Sequence, residues 1–208
     1  MLSPRRRTES QESPIPPTSL DRIASAPEPA ILGLGGMTSP DGAITLMLGD
    51  IADAHDVAQR LGPERWEQLV GSHRVLVEEL VRTYRGHVAR FDGDGFYASF
   101  NSAHAAIRAA VDLQQSFTDV AAATGDGTVS LRIGLHSGFV LANPDQPQGR
   151  NVVLAARIAD RAHGGEILVS SALKQDTERD RSLRFESRGE HHLKGLVGEH
   201  AVYAVSHR

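Results

Sequence analysis

The chain has 208 residues, 22 Lys plus Arg against 26 Asp plus Glu, a formal net charge of −4 and no cysteine. That length supports one domain with a real core plus a tail. The mild, interspersed charge leaves no electrostatic footprint for nucleic acid, and the absence of Cys excludes disulfides, thiolate metal sites and cysteine nucleophiles.

Residues 1–41 are rich in Pro, Ser, Glu and Arg and lack periodic apolar positions, so they are expected to form a disordered arm ahead of a domain over 42–208. Arg5-Arg6-Arg7 opens this arm, but the polar run Thr8 to Pro14 follows where an export signal would need an apolar stretch. No apolar run is long enough to span a bilayer, and a cytoplasmic protein is expected. Ala30 to Leu34 is a short apolar patch, read as a greasy linker or a docking point.

From Ala43 the texture changes. Ile44 to Leu48 is an apolar run ending at Gly49-Asp50, which predicts a buried strand. Pro63 opens a helix whose stripe runs from Trp66 through Leu69, Val70, His73, Leu76, Val77, Leu80 and Val81 to Tyr84. Two β-prone runs, 87–92 and 95–100, flank Gly93-Asp94 and predict a tight hairpin. Ser102 caps a further helix. Val129, Leu131, Ile133 and Leu135 alternate with polar or small residues, predicting a half-buried strand. Residues 141–149 form a loop and 150–162 a helix stopped by Gly164-Gly165. Then come a strand at 167–169, a short helix capped by Ser170 or Ser171, and late strands at 183–187 and 201–205. Hairpins mixed with helical crossovers indicate an α+β sheet with helices packed on it.

Asp50 ends a buried strand, where an ionised carboxylate is costly unless a cation meets it. Asp94 sits at the hairpin tip. If the hairpin pairs beside the first strand, the two carboxylates converge, which suits Mg²⁺ with its shell completed by water and substrate phosphates. Two such ions activate a hydroxyl and stabilise a phosphoryl transition state. Taken singly, each Asp has a plainer reading: a turn residue for Asp94, a loop start or helix cap for Asp50. The ten His residues show no ligand spacing, and zinc is not expected.

The sequence resembles the class III adenylate/guanylate cyclase family. The matching pieces are Leu46 to Ile51 (LMLGDI), Gly93-Asp94-Gly95, Leu131 to Gly138 (LRIGLHSG), Leu154 to Ala159 (LAARIA), Gly165 to Ser171 (GEILVSS) and Leu193 to Leu196 (LKGL). They occur in the family's order across roughly residues 43–205. The resemblance implies a ferredoxin-like βαββαβ-type mixed sheet and a site shared between two chains, either a homodimer or a heterodimer with another cyclase chain. It implies a nucleoside triphosphate as ligand, and Mg²⁺ or Mn²⁺ held by Asp50, Ile51 and Asp94. It makes Arg157 the transition-state arginine. The base-recognising positions fall on Arg90 and Gln146.

The chain departs from the family's pattern in specific places. Val153 stands four residues before Arg157, where the family carries Asn on the same helical face. Asn151 is rotated away from that face. Ala52-Asp53-Ala54-His55-Asp56 follows Asp50 where the family has a phosphate-approaching loop, and Glu199-His200-Ala201 occupies the region of a late phosphate-holding Lys. Losing one preorganised donor costs roughly 10²–10³ in turnover, so weak cyclase activity is expected. A degenerate module that dimerises, binds nucleotide and regulates without turnover is the second reading. Arg90 to Phe96 also looks like the turn of diguanylate cyclases, though Gly95 stands where that family places Glu.

Overall fold

The computed structural model describes residues 17–25, 43–126, 128–139 and 149–207. Gln146 and most of the arm lie outside them. Thirteen elements follow in chain order: α1 (Ser19–Ala24), β1 (Ala43–Ile51), α2 (Ala54–Leu61), α3 (Pro63–Thr83), β2 (His87–Asp92), β3 (Gly95–Phe100), α4 (Ala103–Ala123), β4 (Leu131–Phe139), α5 (Gly149–Ala159), β5 (Ile167–Ser170), α6 (Ser171–Thr177), β6 (Leu183–His192) and β7 (Glu199–His207). The strands form one mixed sheet of order β2-β3-β1-β4-β5-β7-β6, in which only the β4–β5 pair is parallel among the described pairings. This is the expected α+β architecture.

Strand β1 is the axis of the fold, paired on one side with β3 and on the other with β4. Its side chains alternate between two covered faces, which explains why its sequence is continuously apolar rather than alternating. Met47 and Ile51 face the larger core, made with helices α2, α3 and α4 through Val57, Val77, Val81, Ile107 and Phe117. Ile44, Leu46 and Leu48 face a smaller cluster built with α1 and α5. Asp50 continues that second row.

Strand β4 departs from the half-buried expectation. Its polar-looking row, Arg132, Gly134, His136 and Gly138, lies under α5. A Cβ at Gly134 would sit 2.3 Å from the Ala159 amide nitrogen and 2.6 Å from the Ala155 carbonyl oxygen, so glycine is what lets helix and strand backbones meet there. His136 is buried and bridges Ser170 (2.9 Å) and Asn151 (3.2 Å).

Two helices go beyond the sequence reading. The stretch after Asp50 forms α2, separated from α3 by Gly62, whose positive φ breaks the helix immediately before Pro63. Residues 17–25 correct the expectation of a disordered arm. Thr18 and Asp21 close a capping box at the start of α1, and Leu20 and Ile23 are 0% and 4% exposed. The propensity of so short a segment is weak, and tertiary burial decides it.

Candidate active site

The register of the sheet builds the site. Antiparallel pairing of β1 with β4 sets Asp50 directly opposite Arg132. The guanidinium meets the carboxylate as a fork, Nε donating to Oδ1 at 2.9 Å and Nη2 to Oδ2 at 2.6 Å. Asp50 is 2% exposed. Burial pushes its carboxyl up to about 6; Arg132 opposes that rise, and the nearby charges of Asp94 and Asp160 add to it. Burial works against the Arg132 charge, but its bonds to Asp50 outweigh this and raise its pKa.

The β2–β3 turn carries Asp94 to the same end of β1. Gly93 takes a positive φ of 61° to make that turn. Burial raises the pKa of Asp94, and its own main chain, the nearby Ser19 hydroxyl and the main-chain N–H of Ile51 oppose that rise. The Ser19 hydroxyl also reaches Asp50 Oδ2, at 3.4 Å. The structure therefore brings Asp50, Asp94 and the Ile51 backbone together. The Ile51 side chain is 0% exposed and packs in the core, so only its main chain can contribute to a metal site.

These groups fit a hard divalent cation. Asp94 Oδ2 is buried and has no hydrogen-bond partner among the described residues, and Asp50 carries a carboxyl that a cation would hold ionised. No group of three or more His, Cys, Asp or Glu gathers among the described residues. A cation here would rest on two carboxylates, the sparse protein shell that Mg²⁺ and Mn²⁺ accept, while the Ile51 main chain meets Asp94 through its N–H.

Arg157, at the end of α5, is held within its own chain. Its Nη1 donates to Asp21 Oδ1 and to Asp160 Oδ2, both at 2.7 Å, and its Nε donates to the Lys194 carbonyl at 3.3 Å. A cleft of about 380 Å³ opens beside it, lined by Arg132, Arg157, Arg161 and Lys194 together with Asp21 and Asp160. Arg90 lies on β2, its Nη2 3.3 Å from Asp92 Oδ2, and Asp92 also receives Arg22 Nε at 2.7 Å. A second cleft of about 320 Å³ lies behind the hairpin tip, lined by Trp66, Arg74, Gly93 and Asp94.

Asn151 does not stand in for the absent Asn. Its side chain lies against Gly138, and its Oδ1 accepts from His136 Nε2. It faces the sheet, so Val153 keeps its place one turn before Arg157. The sequence reading missed four participants: Arg132, Asp160, and Ser19 and Asp21 of α1. Arg132 was within reach, because it sits on the polar row of β4 and an antiparallel β1–β4 register puts it against Asp50. Nothing in the sequence pointed to α1.

Comparison with known proteins agrees with this fold. A model of the adenylate and guanylate cyclase catalytic domain matches residues 37–207. Among curated relatives, a Mycobacterium tuberculosis protein described only as uncharacterised is 33% identical over 135 residues, 64% of this chain and 44% of its own. The putative adenylate cyclase 3 of Rhizobium meliloti is 29% identical over 132 residues, 62% of this chain and 22% of its own. The chain thus spans less than half the length of these relatives. Among solved structures, the adenylyl cyclase CyaB of P. aeruginosa superposes with a TM-score of 0.70 at 20% identity, covering 80% of this chain and 94% of that one. The adenylate/guanylate cyclase/hydrolase of Silicibacter pomeroyi does so with 0.61 at 25% identity, covering 78% and 95%.

Proposed function

Because the chain belongs to the adenylate and guanylate cyclase catalytic-domain family, we propose that it forms a 3′,5′-cyclic nucleotide and pyrophosphate from ATP or GTP, slowly, at a site shared by two chains. The observation that carries this reading is the meeting of Asp50, Asp94 and the Ile51 main chain at one end of β1. A bound Mg²⁺ or Mn²⁺ would supply Lewis-acid activation of the ribose 3′-hydroxyl and charge neutralisation at the phosphates.

The chain's own groups divide the remaining work. Asp50, buried at the end of β1, and Asp94, half-buried in the hairpin turn, would hold the cation. The ribose 3′-hydroxyl gives its proton to solvent as its oxygen attacks the α-phosphorus in line, the bond to the bridging β-phosphate oxygen breaks, and pyrophosphate leaves with that oxygen. Arg132 lies against Asp50 and lines the neighbouring cleft, so its fork is the group assigned to a phosphate oxygen. Arg157 of the second chain balances charge developing in the transition state. Arg90 contacts the base edge as a donor only, and Gln146 is assigned the second base contact.

Val153 supports the slow-turnover part of the reading, since it offers no donor beside Arg157. It equally supports a second reading, a regulatory module that dimerises and binds metal–nucleotide without turning it over. The family match favours either over a diguanylate cyclase. The deciding experiment is turnover of ATP and GTP by purified protein with Mn²⁺ and with Mg²⁺, beside Asp94→Ala. Slow formation of cyclic nucleotide, faster with Mn²⁺ and abolished in Asp94→Ala, supports the enzyme. Metal-dependent nucleotide binding with no product supports the module, and neither binding nor product rejects both.

A further inference from the structure

Helix α1 is seated on the very groups to which the proposed chemistry is assigned. We propose that residues 17–25 are an intrasteric strap, which closes the metal and phosphate side of the site within one chain and must lift before a metal–nucleotide is engaged. The inference rests on the cyclase reading, in which the covered carboxylates serve one site of the pair and the covered Arg157 is lent to the other.

Three nearly consecutive side chains each take hold of a different part. The Ser19 hydroxyl lies against both metal-side carboxylates, donating to Asp50 Oδ2 at 3.4 Å with Asp94 alongside. Asp21 forms an ion pair with Arg157 at 2.7 Å. Arg22 pairs with Asp92 at 2.7 Å, which in turn pairs with Arg90 on the base side. Between these latches, Leu20 and Ile23 anchor the helix in an apolar seat formed by Ile44, Leu46, Leu48, Tyr97, Val152 and Ala156. The seat has a matched contour: a Cβ at Gly95 would lie 2.7 Å from Ser19 Cβ and 3.2 Å from Ile23 Cδ1.

The chemistry of the latch matches what it would exclude. Asp21 puts a carboxylate into the cleft lined by Arg132, Arg157, Arg161 and Lys194, where a phosphate anion would find the same cations. The Ser19 hydroxyl lies between the two carboxylates that would share an ion. A helix of six residues is not stable undocked. Release of the strap is therefore also its melting, which makes the closed and open states discrete.

Binding of Mn²⁺ and of Mn²⁺ with pyrophosphate tests this in the full chain, in the double variant Leu20→Ser/Ile23→Ser and in the double variant Asp21→Asn/Arg22→Gln. With the strap closed ten times out of eleven, apparent affinity falls about tenfold, so both variants should bind about tenfold more tightly. Their β1 and β2–β3 amides should also exchange hydrogen faster. The second variant keeps the apolar seat covered and carries the test if the first fails to fold. Adding Asp94→Ala to either should abolish the gain, which places the ion at this site. Equal affinities and equal exchange in all three chains overturn the strap. Tighter binding in the variants, with no cyclic product when they are given ATP or GTP with Mn²⁺, retains the strap and defeats the proposed enzymatic function instead.

Discussion

His73 offers the most direct check on the packing that supports the site. It lies on α3 with 0% exposure, its ring edge-on to Phe96 and Phe117 with centroids 5.6 and 5.4 Å apart, and neither ring nitrogen has a hydrogen-bond partner among the described residues. Burial, with a smaller contribution from the charge of Arg74, holds its pKa down at about 3 against an ordinary 6.5. The unfolded chain therefore takes up a proton near 6.5 that the native chain refuses until about 3. Stability is fully present above 6.5 and declines as pH falls between those values, by up to about 1.4 kcal/mol per unit. From pH 7.5 to pH 5 that amounts to about 2 kcal/mol, or roughly 4–8 °C in Tm for a chain of this size. His73→Leu removes both the titration and an unpartnered polar group costing about 1–3 kcal/mol, and loses two ring contacts of about 0.5–1.5 kcal/mol each. The variant should match or modestly exceed the wild type at pH 7.5 and exceed it by about 2 kcal/mol more at pH 5. His136, also held low by burial, stays in both proteins and cancels in the difference. Urea melts of the two proteins at both pH values measure this. Parallel pH profiles would refute the burial of a neutral imidazole beside Phe96.

Gly134→Ala should cost about 1–3 kcal/mol, because its methyl meets the α5 backbone rather than a movable side chain; thermal melts read the loss. A milder Gly164→Ala, facing the Ser130 hydroxyl at 2.5 Å and the Ala52 methyl at 3.1 Å, should cost less, since the first of these can rotate away. Arg132→Ala should destabilise by about 3–5 kcal/mol near pH 8, because Asp50 loses its counter-charge. Its carboxyl, already raised to about 6, then rises further. The stabilising neutral form is fully present below the unfolded value near 3.8 and is lost as pH rises through the raised one, so the defect should shrink towards pH 5. A deficit independent of pH would show that Asp50 is not the partner that matters.

Local pattern carried much of the fold. The apolar run at 44–48, the stripe from Trp66 to Tyr84, the Gly93-Asp94 turn and the Ser102 cap each predict their element from side-chain period or turn chemistry, and each is found. The carboxylates Asp50 and Asp94 were legible for the same reason: one closes an apolar run and the other sits in a turn that the sequence marks. Arg132 was not singled out, because its importance depends on a register 82 residues away in the chain. The polar row of β4 misled for a related reason. Alternation reports side-chain polarity, whereas burial of that row depends on α5 crossing at Gly134. Helix α1 is the extreme case. Its six residues have no stability of their own, and only the seat offered by β1, β3 and α5, together with Asp92 and Arg157, makes them a helix. Sequence alone determined the strands and the helices other than α1 and α2, because that information is local. Tertiary structure decided which charges meet and what covers them, because those free energies exist only once distant segments share a buried face.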